Sequence, residues 1–541
     1  MNILLLNLTR FGDLLQSQAA VHDLVRQGHR VGVSCLNNFT GGAALLSGIA
    51  HVAPLPGGDI LALLDRDGDS GESEGPPGWA GALAILASWR AELFAAFSPD
   101  AVCNLTPSTS ARLLARYIAQ GRPCSGFFMD GHGFGLNGNA WAAFLQGASL
   151  VRGVSPFNIV DIFRKTAAGA DLVDSGDGTL LPPAQSVRSA MAARLSGLAP
   201  EGCQGFVALQ LGASDDKRRW PADYFAQVGT ALWHEEGLCP VLLGSKAERH
   251  LAERYAQAAS GPFCDLCGET SLAELAAALC SSRLLITNDT GTMHLAAGLK
   301  TPILALFLAT AQPFDTGPYR EGSCSVEPDL PCHPCAFGLE CPDGHACRRV
   351  ARPSFIVALA RSFLREGRWR TPADDGAARV WLSVRDKYGF IALESLSGHG
   401  TSPRAAWLGI QRHYIRQFLD SSGRTDFAPA PCPDCLSLPA DMRGGIVLQT
   451  QAAAAMAELF IQQGRVLLAR PAAPMRDRFL ATWGKVRRIL SESSCLAALS
   501  LLWTQETQAE GRELADVLLA AGAFIRLLQA LTAELEGGKC V

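Results

Sequence analysis

Two stretches of this sequence suit an anionic ligand. The run Leu211-Gly212-Ala213-Ser214-Asp215-Asp216-Lys217-Arg218-Arg219-Trp220-Pro221 sets small residues, which let a ligand approach the backbone, directly before three cations. Adjacent cations repel one another unless an anion or water neutralises them, so phosphate is a natural partner for Lys217 and Arg218; a solvated turn is the plain alternative. The run Asn288-Asp289-Thr290-Gly291-Thr292-Met293-His294 reads as a strand end, a turn and a helix start. Backbone N–H groups and hydroxyls at Thr290, Gly291 and Thr292, with the positive end of the helix dipole, form a cradle for a pyrophosphate. Asp289 is placed to orient a sugar hydroxyl or to cap the helix, and His294 to touch the ligand or to sit satisfied in the core.

A third stretch, Leu8-Thr9-Arg10-Phe11-Gly12-Asp13, carries a carboxylate out of the first apolar run and into a helix. The carboxyl end of a strand is where open α/β sheets bind ligands, so Asp13 is either a general base there or a helix N-cap. Cys332, Cys335, Cys341 and Cys347 follow the spacing C-x2-C-x5-C-x5-C, with Pro and Gly between them. Four thiols so spaced can converge on one structural metal ion, zinc being the generic choice; two disulfides or free thiols are the alternatives.

Weaker signals are read as loops. Gly133, Gly135 and Gly138 match G-x-G-x-x-G, but they do not follow the first strand and no acidic residue lies about twenty positions on, so they are expected only to border a cleft. The acidic stretch from Asp65 to Gly75 has Ser70 and Pro76 where a calcium loop needs Gly and Glu, and is expected to be a solvated insertion. Cys432 and Cys435 form a lone pair without the βαβ context of a redox motif.

The elements that must position these residues alternate. Apolar runs near 2–8, 31–35 and 101–105 read as strands, with helical patterns at 13–26, 80–97 and 111–119. A Gly/Pro-rich stretch at 174–183 reads as a linker. A second set follows, with strands near 206–211, 240–243, 283–287 and 302–307 and helices near 221–234, 247–258, 272–280 and 292–299. Two such halves predict two Rossmann-like domains facing a cleft, over residues 1–180 and 200–368. A short hairpin is expected within 380–396. The remainder of a third region, 370–541, is expected to be mainly helical, with a role the pattern does not reveal.

The chain has 541 residues, enough for about three domains at 100–200 residues each. With 48% apolar residues, several cores can form. A formal net charge of −4 excludes the electrostatic footprint of a general nucleic-acid binder. The N-terminal run is interrupted by Arg10 and Asp13 and lacks a cleavage site, and no unbroken stretch of eighteen apolar residues occurs. A cytoplasmic compartment with mostly reduced cysteines is therefore expected, and no membrane-spanning helix.

Taken together, the LTRFGD, LGASDDKRRWP and NDTGTMHLAAGLKTP motifs resemble those of the lipopolysaccharide heptosyltransferases, a glycosyltransferase family of GT-B fold, over roughly residues 1–365. The resemblance implies an inverting transfer of heptose from ADP-heptose, with no cofactor needed for catalysis. It puts Asp13 at the general-base position and a cation after Ser214 at the diphosphate. This chain has Arg218 where the family has Lys, with Lys217 adjacent, so the choice between them stays open. Asp289, Thr290, Gly291, Thr292 and His294 match the donor-binding turn, and Glu248 lies where the family approaches the ribose. Relatives that act on autotransporter proteins carry iron, which leaves zinc or iron open for the cysteine cluster. The implied acceptor is a lipopolysaccharide core sugar at the cytoplasmic face of the inner membrane, with peripheral contact. An autotransporter- or flagellin-type protein acceptor is the alternative, suggested by the extra region after residue 370, and a non-catalytic binding module is a third reading.

Overall fold

The computed structural model describes residues 1–66, 78–149, 154–169, 176–372, 377–421, 427–432 and 438–537. The fourteen strands are β1 (Asn2–Leu6), β2 (Arg30–Leu36), β3 (Ile49–Leu55), β4 (Ala101–Asn104), β5 (Cys124–Met129), β6 (Gly135–Asn137), β7 (Gly205–Gln210), β8 (Leu238–Leu243), β9 (Cys264–Asp265), β10 (Ser282–Asn288), β11 (Ile303–Leu306), β12 (Cys324–Pro328), β13 (Ala378–Arg385) and β14 (Ile391–Ser395). They build two sheets. The first has the order β3-β2-β1-β4-β5-β6 and the second β14-β13-β12-β11-β10-β7-β8-β9.

In the first sheet β3 to β5 are parallel, and only the edge strand β6 runs against its neighbour. In the second, β7 to β12 are parallel, and the β13–β14 hairpin adds two antiparallel strands. Strands buried on both faces read as apolar runs: Leu4, Leu5 and Leu6 of β1 are fully buried, as are Val207, Ala208 and Leu209 of β7. Both sheets switch direction at their first strand, which pairs with the next strand on one side and with the fourth on the other. Ligands of such sheets lie beyond the carboxyl ends at that switch. Two doubly wound sheets arranged in this way make the GT-B architecture.

Most of the predicted elements form within a few residues of their expected ends. The pattern at 13–26 is broken at Ser17, whose hydroxyl donates to Leu14 O at 2.6 Å, giving two helices, Phe11–Gln16 and Gln18–Arg26. Sequence reading passed over β3 and the helices Ala140–Ala148, Ile159–Ala168 and Gln185–Leu198. The helix Ala140–Ala148 is buried almost all round and apolar throughout, which erases the amphipathic period, whereas Ile159–Ala168 keeps that period and buries its polar face as well. Beyond residue 370 the hairpin expected within 380–396 is β13–β14, which joins the second sheet, and the α-helices begin at Pro403–Asp420. The Gly133–Gly138 turn joins β5 to β6 at the sheet edge. Its Gly135 N–H donates to Glu510 at 2.5 Å, and it does not border the cleft. Beyond Arg66 the acidic stretch to Gly75 lies outside the described residues, as does Cys435.

Two helices, Ala440–Ala469 and Leu514–Glu536, are long and apolar enough to cross a bilayer by length and composition, contrary to the expectation of none. Unbroken runs miss them because Gln, Thr and Gly interleave with their Leu and Ala. Both are packed partly into the helical bundle.

A buried polar network holds the first sheet's helix Ile159–Ala168 to the second sheet. Asp161 accepts from Tyr319 Oη at 2.7 Å and from Ile391 N at 3.0 Å, while Arg164 pairs with Asp23 at 2.6 Å. Burial raises the Asp161 carboxyl above its ordinary value, against the pull of Arg412 and Arg164. Lone carboxylates are too costly to bury, so these groups persist only as a hydrogen-bonded set.

Candidate active site

The segments that leave β1, β4, β7, β8 and β10 converge on one cavity of about 690 Å³. The sequence-derived residues Asp13, Ser214, Arg218, Glu248, Asp289, Thr290, Gly291, Thr292 and His294 all line it. Lys217 does not. It lies on the 3₁₀ turn Asp216–Arg218 and pairs with Asp215 at 3.3 Å. Consecutive side chains on so tight a turn project about 120° apart, so Lys217 cannot share Arg218's direction.

The two lobes touch where both loops carry glycine. A Cβ on Gly12 would stand 3.0 Å from His294 Cδ2 and 3.3 Å from Gly291 Cα; one on Gly291 would stand 2.8 Å from Phe11 Cδ1. The Asp13 turn therefore rests directly on the start of the helix Gly291–Gly298. Asp13 itself is half-buried, and its Oδ2 accepts the Arg10 N–H at 3.3 Å, so it caps its own helix while facing the cavity. Both roles that the sequence offered for it are compatible. Asn7 fixes the turn by donating to Asp13 O at 2.9 Å.

On the opposite wall Arg218 is buried, pairs with Asp289 at 2.5 Å and donates to Ser214 Oγ at 3.3 Å. Its Nε is enclosed without a hydrogen-bond partner among the described residues, and its two Nη groups keep further N–H donors for an incoming anion. Beside it, among the described residues no side chain caps the helix that starts at Gly291. Thr292 Oγ1 donates instead to Gln210 Oε1 at 3.0 Å. A helix start of this kind, next to a guanidinium, favours a phosphate. Glu248 Oε2 accepts the Ser245 N–H at 2.7 Å, and its carboxyl lies so close over Gly212 that a Cβ there would stand 1.6 Å from Oε1. His294 is half-buried, and its ring nitrogen Nδ1 has no hydrogen-bond partner. Burial holds its pKa below the ordinary imidazole value, opposed by the charges of Asp289 and Asp13.

Sequence reading missed the groups that brace this site. Asn288 donates to Leu211 O at 3.0 Å and Gly212 O at 3.1 Å and accepts from Trp220 N at 2.9 Å, tying the loop after β7 to the end of β10. Arg348 donates to Arg219 O at 2.7 Å and reaches Asp216 at 3.2 Å. Missed too was the apolar side of the cavity, where Leu105, Leu145, Phe157 and Phe163 line the first lobe's wall. Asn288 alone left a signal, its place between a strand and the turn.

The expected metal centre at the cysteine cluster is not shown. Among the described residues no group of three or more His, Cys, Asp or Glu side chains stands together to hold a metal ion. Cys332, Cys335, Cys341 and Cys347 are free thiols. Cys335 N–H donates to Ala309 O at 2.9 Å, Cys347 is buried, and Cys332 is exposed. Burial, and then the nearby thiols of Cys332, Cys347 and Cys341, raise the Cys335 pKa above its ordinary value.

Residues 167–344 match the family model of glycosyltransferase family 9 (heptosyltransferase). Over 166 residues the chain is 32% identical to lipooligosaccharide heptosyltransferase 2 of Campylobacter jejuni, covering 29% of this chain and 51% of that protein. Over 118 residues it is 33% identical to lipopolysaccharide heptosyltransferase 1 of Pseudomonas aeruginosa, covering 22% of this chain and 32% of that one. The chain thus spans about half the length of the first of these curated relatives, and less of the second. Among solved structures, the ADP-heptose lipopolysaccharide heptosyltransferase II of Escherichia coli aligns over 68% of this chain and 100% of its own, with 18% identity and a TM-score of 0.48.

Proposed function

We propose that this chain, through its glycosyltransferase family 9 domain and the lobe that faces it, is an inverting transferase that moves heptose from ADP-heptose to an acceptor hydroxyl. One observation carries the reading: a carboxylate from the first lobe and a guanidinium beside an uncapped helix start from the second share one cavity. A sugar hydroxyl is a poor nucleophile, and Asp13 as general base removes its proton as the new bond forms. The anomeric carbon becomes oxocarbenium-like while negative charge grows on the departing diphosphate. Arg218 and the amides of Thr290 to Thr292 receive that charge, so no cofactor is required. Asp289 orients Arg218, Ser214 and Glu248 hold the nucleotide side, and His294 stays neutral against the sugar.

The acceptor in this reading is a lipopolysaccharide core sugar, met at the cytoplasmic face of the inner membrane, with contact to the bilayer only peripheral. A second reading makes a protein the acceptor. It is favoured by the helical region beyond residue 400, which packs on the helix Ala140–Ala148 from behind: a Cβ on Gly147 would collide with Leu501, and Trp141 Nε1 donates to Asp420 at 3.0 Å. Leu145 of that helix lines the cavity.

Incubating the full chain with ADP-heptose and either core oligosaccharide or candidate proteins, followed by mass spectrometry, tests both. Transfer to the glycan supports the first and transfer to protein the second. Calorimetry showing no affinity for ADP or ADP-heptose sinks the proposal.

A further inference from the structure

The helix Ala440–Ala469 carries two apolar seams, and one of them has its partners inside the molecule. Ile446, Thr450, Ala453, Ala457, Phe460 and Gly464 recur at steps of four and three and are buried. They face the helices Ala473–Ser491 and Leu514–Glu536: a Cβ on Gly464 would stand 3.1 Å from Phe479 Cε2 and 2.4 Å from Leu518 Cδ2, and the Thr450 and Thr532 hydroxyls meet at 2.8 Å.

About 200° around the helix the same steps recur in Leu448, Ala452, Ala455, Leu459, Gln462 and Val466, all exposed. Leu448 is 69% exposed, Leu459 40% and Val466 48%. A surface helix normally turns charge to water on that side. Apolar residues alternating at four and three average one per 3.5, the repeat of helices that wind around another helix. So long an apolar seam on the outside marks an interface.

Charges beside the seam select the partner. Glu458 and Arg465 each precede a seam residue and are exposed. In a parallel pairing with a second copy, such residues face positions five further along the other helix, here Gln463 and Arg470: no attraction for Glu458, and repulsion for Arg465. In an antiparallel pairing about an axis midway between them, Glu458 of each copy faces Arg465 of the other, twice. Gln462, the one polar seam residue, then lies at the axis beside its own counterpart and fixes the register.

We propose that Ala440–Ala469 pairs antiparallel with the same helix of a second copy, making a two-fold dimer with the two cavities independent. The pairing does not rest on the transferase chemistry and stands or falls without it.

Sedimentation equilibrium of the full chain at 1–50 µM tests it. The expected result is a mass twice that of the chain, with Leu459→Glu reducing it to a monomer. Glu458→Arg is expected to weaken the dimer by roughly tenfold, and adding Arg465→Glu to restore it, because the pair is then merely swapped. Both charge positions are exposed, so this swap keeps the test valid should Leu459→Glu fail to fold. A monomer across the range overturns the proposal, as does a dimer indifferent to both the seam and the charge variants. A monomer that co-sediments with phosphatidylethanolamine–phosphatidylglycerol vesicles, and loses that with Leu459→Glu, assigns the seam to a bilayer and overturns it equally.

Discussion

The loop that leaves β1 and the loop that leaves β7 hold the same place in two sheets of the same strand order, yet they are built for opposite charges. After β1 the chain turns straight into a helix and leaves Asp13 half-buried at the cavity, held only by its own N-cap bond and by Asn7. After β7 it makes a 3₁₀ turn that sends Arg218 inward onto Asp289 and is tied down by Asn288 and Arg348. The fold fixes where a ligand lies, at the switch of each sheet; the loops decide what each end of it meets. A base must sample an acceptor that comes and goes, whereas a diphosphate site gains from rigidity, since preorganised charge loses nothing to reorganisation.

The most damaging way to break this division is at the proposed base, Asp13. Asp13→Asn is expected to lower kcat by about 10²–10⁴-fold with the donor Kd unchanged, by steady-state kinetics and calorimetry. Equal loss in Kd would mean that the β1 loop holds the donor too. Arg218→Lys keeps the charge but loses the planar donor set, and kcat/KM for the donor should fall by about 10²-fold. Arg218→Ala is expected to cost about 3–5 kcal/mol of stability as well, because it leaves Asp289 buried and unpaired.

Gly291→Ala sharpens the comparison at the contact between the loops. The new Cβ would press on Phe11 and force the Asp13 turn off the helix start, so about 1–3 kcal/mol of stability should be lost in denaturant titration, with kcat falling alongside. A variant of wild-type stability and rate would show that the lobes need not touch.

His294 gives a pH signature of that same contact. Its folded pKa is lowered by burial, so the unfolded chain takes up the proton first. Stability should therefore fall as pH drops below the free imidazole value of about 6.5, and level off below the folded value. His294→Gln should flatten this part of the stability profile. The smallest effect belongs to Lys217→Ala, within twofold in both kcat and donor KM, since that side chain is turned away to Asp215. A larger loss would return the phosphate role to Lys217.

Much of the site was legible because the signals that placed it are local. Apolar runs buried on both faces, and small or polar residues at their ends, gave the strands and the three loops in the right order. The cysteine spacing reaches less far, for the complementary reason. Spacing shows that four thiols can meet, but whether they do depends on how the surrounding loops pack, as in the bond from Cys335 N–H to Ala309 O and the burial of Cys347. The end of the second sheet at β14, and the apolar wall from Leu105 to Phe163, were likewise outside the reach of local pattern.

By itself the sequence determined the two alternating halves, the cationic run after β7 and the helix start at Gly291, because strand burial, turn chemistry and capping are properties of neighbouring residues. Only the tertiary structure decided that Arg218 and not Lys217 enters the cavity, that Gly12 and Gly291 meet, and that one face of Ala440–Ala469 finds its partners within the fold while the other faces outward. Each of these depends on which distant surface lies opposite a residue, and that is set by packing across the whole molecule.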